Sequence, residues 1–99
     1  MLIARVKVTA DEERRDELVD TLAAEAETMP EAFAGCELFV VSVAADDPNT
    51  VLIAEEWETK DHFDAYVGSA HFASVMSKVA PCLAGPPDSA YYEGERVGP

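Results

Sequence analysis

The sequence predicts an α+β fold, with segments in the order strand, helix, strand, strand, helix, strand across residues 1–99 as one domain. Three observations carry this expectation. Two segments with helical spacing each lie between runs rich in β-branched residues. The two central runs are separated only by a short turn, so they pair as an antiparallel hairpin. A chain of 99 residues with 48% hydrophobic content builds one real core and leaves no room for a second domain.

Each element has a local cause. Residues 2–9, LIARVKVT, roughly alternate and are rich in β-branched side chains, which predicts a strand. TADEERRDELVDTLAAEAETMP follows, with Thr9 or Asp11 as cap, acids in the first turn and Pro30 as the stop. Leu18, Leu22, Ala26 and Met29 fall on one helical stripe, so a helix is expected over about residues 11–29. FAGCELFVVSVAAD reads as a long strand entered through Gly35, DDPNT as a turn, and VLIAEEWE as the third strand. Thr59 caps the second helix, which runs to about Tyr66, breaks near Gly68 and resumes from Ala70 to Val79 before Pro81. CLAGPPD is a loop, and SAYYEGERV is the last strand, weakened at Gly94. The order is that of the ferredoxin-like arrangement, β-α-β-β-α-β, with a four-stranded antiparallel sheet and two helices on one face.

Such a sheet leaves one face bare. By simple alternation Cys36, Leu38, Val40 and Ser42 share one side of the second strand, and Phe39, Val41 and Val43 share the other. Both sides are apolar, where a sheet with one wet face would alternate cleanly. A homodimer packed sheet to sheet is therefore expected, with Val41 as one candidate interface residue.

Composition excludes several function classes. A net charge of −13 repels nucleic acid and anionic membranes, and the seven basic residues are scattered. Cys36 and Cys82 form no C-x-x-C pair, which favours reduced, buried thiols and a cytoplasmic location. The start MLIARVKVTA is too short and too charged for a signal peptide, and no apolar run reaches membrane length.

The ring chemistry is concentrated in residues 55–72, EEWETKDHFDAYVGSAHF, which hold the only tryptophan and both histidines. Glu55 and Trp57 share a strand face, so one carboxylate points with the indole toward the space under the helices. The plain alternative is an exposed glutamate at a strand end. His62 and His71 stand nine residues apart, on opposite sides of an unbroken helix, but a break at Gly68 can swing His71 back. Tyr66 lies one turn after His62. Trp57, His62, Tyr66 and His71 can thus line one pocket, with Phe72 among its apolar walls. Equally, each histidine can be a half-exposed helix residue, and the phenylalanines plain core. There is no H-x-x-x-H spacing and no cysteine beside the histidines, so no metal site is expected. The expected partner is a small apolar or aromatic molecule, and an imidazole near neutrality suits a base.

VLIAEEWETKDHFDAYVGSAHF resembles the antibiotic biosynthesis monooxygenase (ABM) family, which includes bacterial quinol monooxygenases. Glu55 and Trp57 match a strand ending in Glu-x-Trp, and His71 matches a histidine on the helix beyond. The resemblance implies a dimeric α+β barrel that oxidises a phenol or hydroquinone with molecular oxygen and uses no metal or prosthetic group. It implies His71 as base, with His62 as second choice, Trp57 stacked on the substrate ring and Tyr66 holding an oxygen. Glu55 and Phe72 complete the substrate-binding residues. The chain departs from the family in two places. Quinol-type members carry a histidine where Tyr66 stands. Haem-degrading relatives carry a histidine where FASVMSKV has Met76, and an asparagine missing from LIARVKVT, so haem is not expected. The alternative reading is a non-catalytic ligand-binding module or an isomerase-type member of the same barrel group.

Overall fold

The computed structural model describes residues 1–98. Four strands, β1 (Leu2–Thr9), β2 (Cys36–Val43), β3 (Thr50–Trp57) and β4 (Asp88–Glu93), form one antiparallel sheet in the order β2-β3-β1-β4. Helices α1 (Arg15–Thr28), α2 (Lys60–Val67) and α3 (Ala70–Val79) cover one face. This is the expected ferredoxin-like arrangement, with the second helix divided at Gly68 and Ser69.

Asp11 and Thr59 cap as the sequence marks, and Ser69 adds a third cap. Asp11 Oδ1 accepts from the Glu13 N–H at 3.0 Å and opens a 3₁₀ turn, Glu12–Arg14, that leads into α1. Thr59 Oγ1 accepts from the His62 N–H at 3.2 Å, and Ser69 Oγ from the Phe72 N–H at 3.0 Å. Ser69 thus restarts a helix that Gly68 has just ended. The last strand is shorter than SAYYEGERV suggests and stops at Glu93. Its partner runs out there: Glu93 pairs with Leu2, and the Gly94 N–H reaches the carbonyl of Met1.

The facing of β2 corrects the alternation reading. A bulge between Cys36 and Leu38 admits one extra residue, so Cys36 and Phe39 both point under the helices and both are buried. Val41 follows Phe39 onto the helix side and packs against both core clusters. Val40 faces the open side and is exposed. Val41 is therefore a partly buried residue on the helix side, and the open face carries Val40 in its place.

Gly35 enters β2 with φ of +83°, a left-handed conformation open to glycine at little cost. A Cβ there would stand 2.3 Å from His62 Cγ. Gly35→Ala is expected to cost ~2–4 kcal/mol, from backbone strain and the clash together. A thermal melt reads the loss. Adding His62→Ala should recover only part of the steric share, because the Cβ of residue 62 itself lies 2.6 Å from the added Cβ, and should leave the conformational share in place.

Candidate functional site

Under the helices the sheet does not close completely. A cavity of about 500 Å³ lies between β1, β3 and β4 below and α1, α2 and α3 above. Most of its wall is aliphatic or aromatic, including Val6, Ile53, Phe72, Val75 and Met76. Two carboxylates interrupt that wall, Glu25 from α1 and Glu55 from β3. Both are buried, at 4% and 6% exposure. At the lip, Lys60 and Asp64 form an i,i+4 pair at 2.6 Å, and Tyr91 of β4 packs on Phe63.

Glu55 points inward because β3 places it on the same face as Trp57, between Ala4 and Phe39 of the neighbouring strands. Trp57 is fully buried, and its Nε1–H donates to Glu55 Oε1 at 3.0 Å. Burial raises the Glu55 carboxyl above the ordinary carboxylate range, the indole N–H opposes that, and the nearby Glu25 adds to the rise. A carboxyl whose folded value is raised weakens the fold as pH climbs through its window. Its neutral form suits the buried site, and its charged form does not. Glu55→Gln is therefore expected to raise the melting temperature at about pH 8 and to leave it unchanged at about pH 4, where the glutamate is already protonated. Paired melts at the two pH values check this.

Glu25 sits one turn after Leu22 on the buried stripe of α1. Its Oε2 accepts from the Tyr66 O–H at 2.5 Å, and Oε1 lies 2.7 Å from His71 Nε2. Tyr66 in turn stacks on Trp57, with centroids 5.2 Å apart, and meets Phe33 and Phe72 edge-on. Burial first, and then the bond to Glu25, push the Tyr66 phenol well above its ordinary value, so it stays protonated and serves as a donor. The His71 side chain is 45% exposed. It thus joins solvent to a carboxylate that lines the cavity.

The predicted site residues divide accordingly. Glu55, Tyr66 and Phe72 line the cavity. Trp57 lies just behind, held to Glu55 and Tyr66. His71 is outside the wall and touches it through Glu25. His62 is not brought in: its ring covers Gly35, and its Nδ1 lies 2.7 Å from Thr59 Oγ1. Glu25 is the residue that sequence reading missed. Of the cysteines, Cys36 is held inert at neutral pH, its thiol pushed up to about 11 chiefly by burial and then by the charge of Glu55.

The ABM family model, antibiotic biosynthesis monooxygenase, matches residues 1–78. The chain belongs to the antibiotic biosynthesis monooxygenase family. Solved structures are similar throughout their length, the first two of those that follow under the family's name. One from Deinococcus radiodurans is 21% identical with a TM-score of 0.89, covering 99% of this chain and 97% of its own. One from Nitrosomonas europaea is 21% identical with a TM-score of 0.86, covering 95% and 98%. Rv0793 from Mycobacterium tuberculosis is 17% identical with a TM-score of 0.87, covering 99% and 98%. At these identities the likeness is one of fold. No protein of curated function matches the chain. No helix among the described residues is long and apolar enough to cross a membrane.

Proposed function

We propose that this ABM protein is a monooxygenase that oxidises a small phenolic or hydroquinone-type substrate, with molecular oxygen as co-substrate and no metal or prosthetic group. One observation supports this above the others. The inner polar groups of an apolar cavity are two buried carboxylates, and one of them is hydrogen-bonded to an imidazole that reaches solvent. An apolar pocket of this volume accepts one or two aromatic rings. A carboxylate inside it can take a phenolic proton.

The substrate hydroxyl gives its proton to Glu25, and His71 passes a proton on to solvent. The phenolate gives one electron to oxygen, and the resulting phenoxyl and superoxide combine to form a ring C–O bond. The peroxide takes up a proton. Loss of the ring C–H proton at that carbon, with cleavage of the O–O bond, yields a quinone and water. One phenol and one oxygen molecule give one quinone and one water. In this scheme His71 works through Glu25, Trp57 and Tyr66 shape the aromatic wall, and His62 has no part.

Oxygen uptake tests the reading. Chelator-treated protein with a panel of hydroquinones and naphthols is expected to consume oxygen and to place one labelled oxygen atom from ¹⁸O₂ in the product. No uptake above background across the panel would sink it. Ligand-induced stabilisation without uptake would turn the reading to a binding module or an isomerase.

We propose also that a second copy of the chain covers the open sheet face. Val40, Leu52 and Tyr92 stand there, each at least 39% exposed, on the side that no helix covers.

A further inference from the structure

The polar groups at the inner end of the cavity have an unusual balance. Two donors stand there, the Trp57 N–H and the Tyr66 O–H, and both are already spent on carboxylates. His71 Nε2 is likewise turned onto Glu25. What remains is acceptor capacity. Trp57 occupies Glu55 Oε1, and among the described residues no donor meets Oε2. Glu55 is 6% exposed, yet no fully enclosed side-chain oxygen among the described residues lacks a partner. The free Oε2 therefore opens onto the cavity that Glu55 lines. Water can meet this acceptor in the open cavity, but a ligand that fills the apolar space without a donor would leave it unmet, and a ligand donor meets it. At the lip the one cation, Lys60, is engaged by Asp64.

We infer that the inner end of the cavity selects the hydroxyl-bearing, reduced form of an aromatic ligand over its carbonyl-bearing, oxidised form, with Glu55 as the anchor that accepts the ligand O–H. A hydroquinone presents a donor to Glu55 Oε2. When Glu55 is charged, the form addressed by the comparison at about pH 8, the corresponding quinone presents only oxygen lone pairs to a carboxylate. This rests on the monooxygenase reading for its substrate class, and it deepens that reading. The site holds the reduced substrate and disfavours the product, so product release follows from the same carboxylate that binds.

The test compares tetramethyl-1,4-hydroquinone with tetramethyl-1,4-benzoquinone, which share one carbon skeleton and whose methyl groups block addition by thiols. Binding is measured by calorimetry under argon at about pH 8, with Trp57 fluorescence as a second signal. The unaltered protein is expected to bind the hydroquinone ~10-fold or more tightly than the quinone, the scale of one hydrogen bond to a charged group. In Glu55→Gln the amide oxygen can keep the Trp57 N–H, and the NH₂ then faces the cavity as a donor. The preference should shrink below ~3-fold or invert, because the cavity now offers a donor to the quinone. Equal or tighter binding of the quinone by the unaltered protein overturns the inference, as does failure of the hydroquinone to bind at millimolar concentration. A preference that survives Glu55→Gln removes Glu55 as the anchor. Should Glu55→Gln fail to fold, the comparison in the unaltered protein still decides. Hydroquinone preference together with no oxygen uptake in air from hydroquinones and naphthols that keep a ring C–H would sink the monooxygenase reading and leave the donor selection standing. Uptake without preference would do the reverse.

Discussion

Glu25→Gln is expected to lower kcat/KM for a hydroxyaromatic substrate by ~10²–10³-fold, measured as initial oxygen uptake, with a small change in melting temperature. Glutamine keeps the shape of the side chain, and its amide oxygen still accepts from Tyr66. The His71 ring can present a lone pair on Nε2 to the new NH₂, so the buried site remains satisfied. What is lost is the capacity to take a proton inside an apolar cavity. His71→Ala is expected to cost ~10²-fold for a different reason. It removes the link between Glu25 and water, and because the side chain is 45% exposed, little packing goes with it. Imidazole added to the buffer should restore part of the His71→Ala loss by carrying the proton, and none of the Glu25→Gln loss. His62→Ala should leave turnover intact. Full activity in Glu25→Gln would move the base elsewhere, with Glu55 next in line. A fall in melting temperature as the main effect of His71→Ala would make that histidine a packing residue.

Tyr66 gives a finer reading of the same route. Its O–H donates to Glu25 and stabilises the charged carboxylate, while its ring stacks on Trp57. Phenylalanine keeps the ring and drops the bond. Tyr66→Phe therefore reads how much the placement of Glu25 contributes: kcat/KM from oxygen uptake should fall, while the stacked ring keeps the melting temperature close to that of the unaltered protein.

Much of this arrangement is legible in the sequence because each signal is local. Asp11, Thr59 and Ser69 act as caps within three residues of the N–H groups they meet. The shared face of Glu55 and Trp57 follows from the period of a strand, and no bulge interrupts β3 in its pairing with β1. Two features are less accessible. Glu25 falls on the stripe of Leu18, Leu22 and Met29, an acid at a position where α1 is otherwise apolar. That signal is present in the sequence, but it is muffled by the acids all around it, and its partners Tyr66 and His71 lie more than forty residues away. The bulge after Cys36 leaves no mark at all, since CELF alternates as well as any regular strand. Its effect is to carry Cys36 to the side of Phe39 and Val41 under the helices, while Leu38 and Val40 keep the open side.

That placement decides how the open face behaves. The sheet presents Ile3, Leu38, Val40, Leu52, Ala54 and Tyr92 away from the helices, with Arg5 lying over the Tyr92 ring at 5.4 Å. Val40, Leu52 and Tyr92 are 46%, 39% and 48% exposed in the single chain. If a second copy covers this face, light scattering is expected to give about twice the 10.7 kDa chain mass at micromolar concentration. Val40→Asp places a charge on that face in both copies and should raise the dimer dissociation constant by ~10²-fold or more, yielding a folded monomer. The monomer tolerates it because the side chain points to solvent there. Val41→Asp is the contrasting change. It puts a charge among the residues that join the two core clusters, where no cation waits, and should unfold the chain. A wild-type monomer at micromolar concentration would end the dimer proposal. A Val40→Asp protein that still scatters as a dimer would place the interface elsewhere, and the open face would then need a different cover.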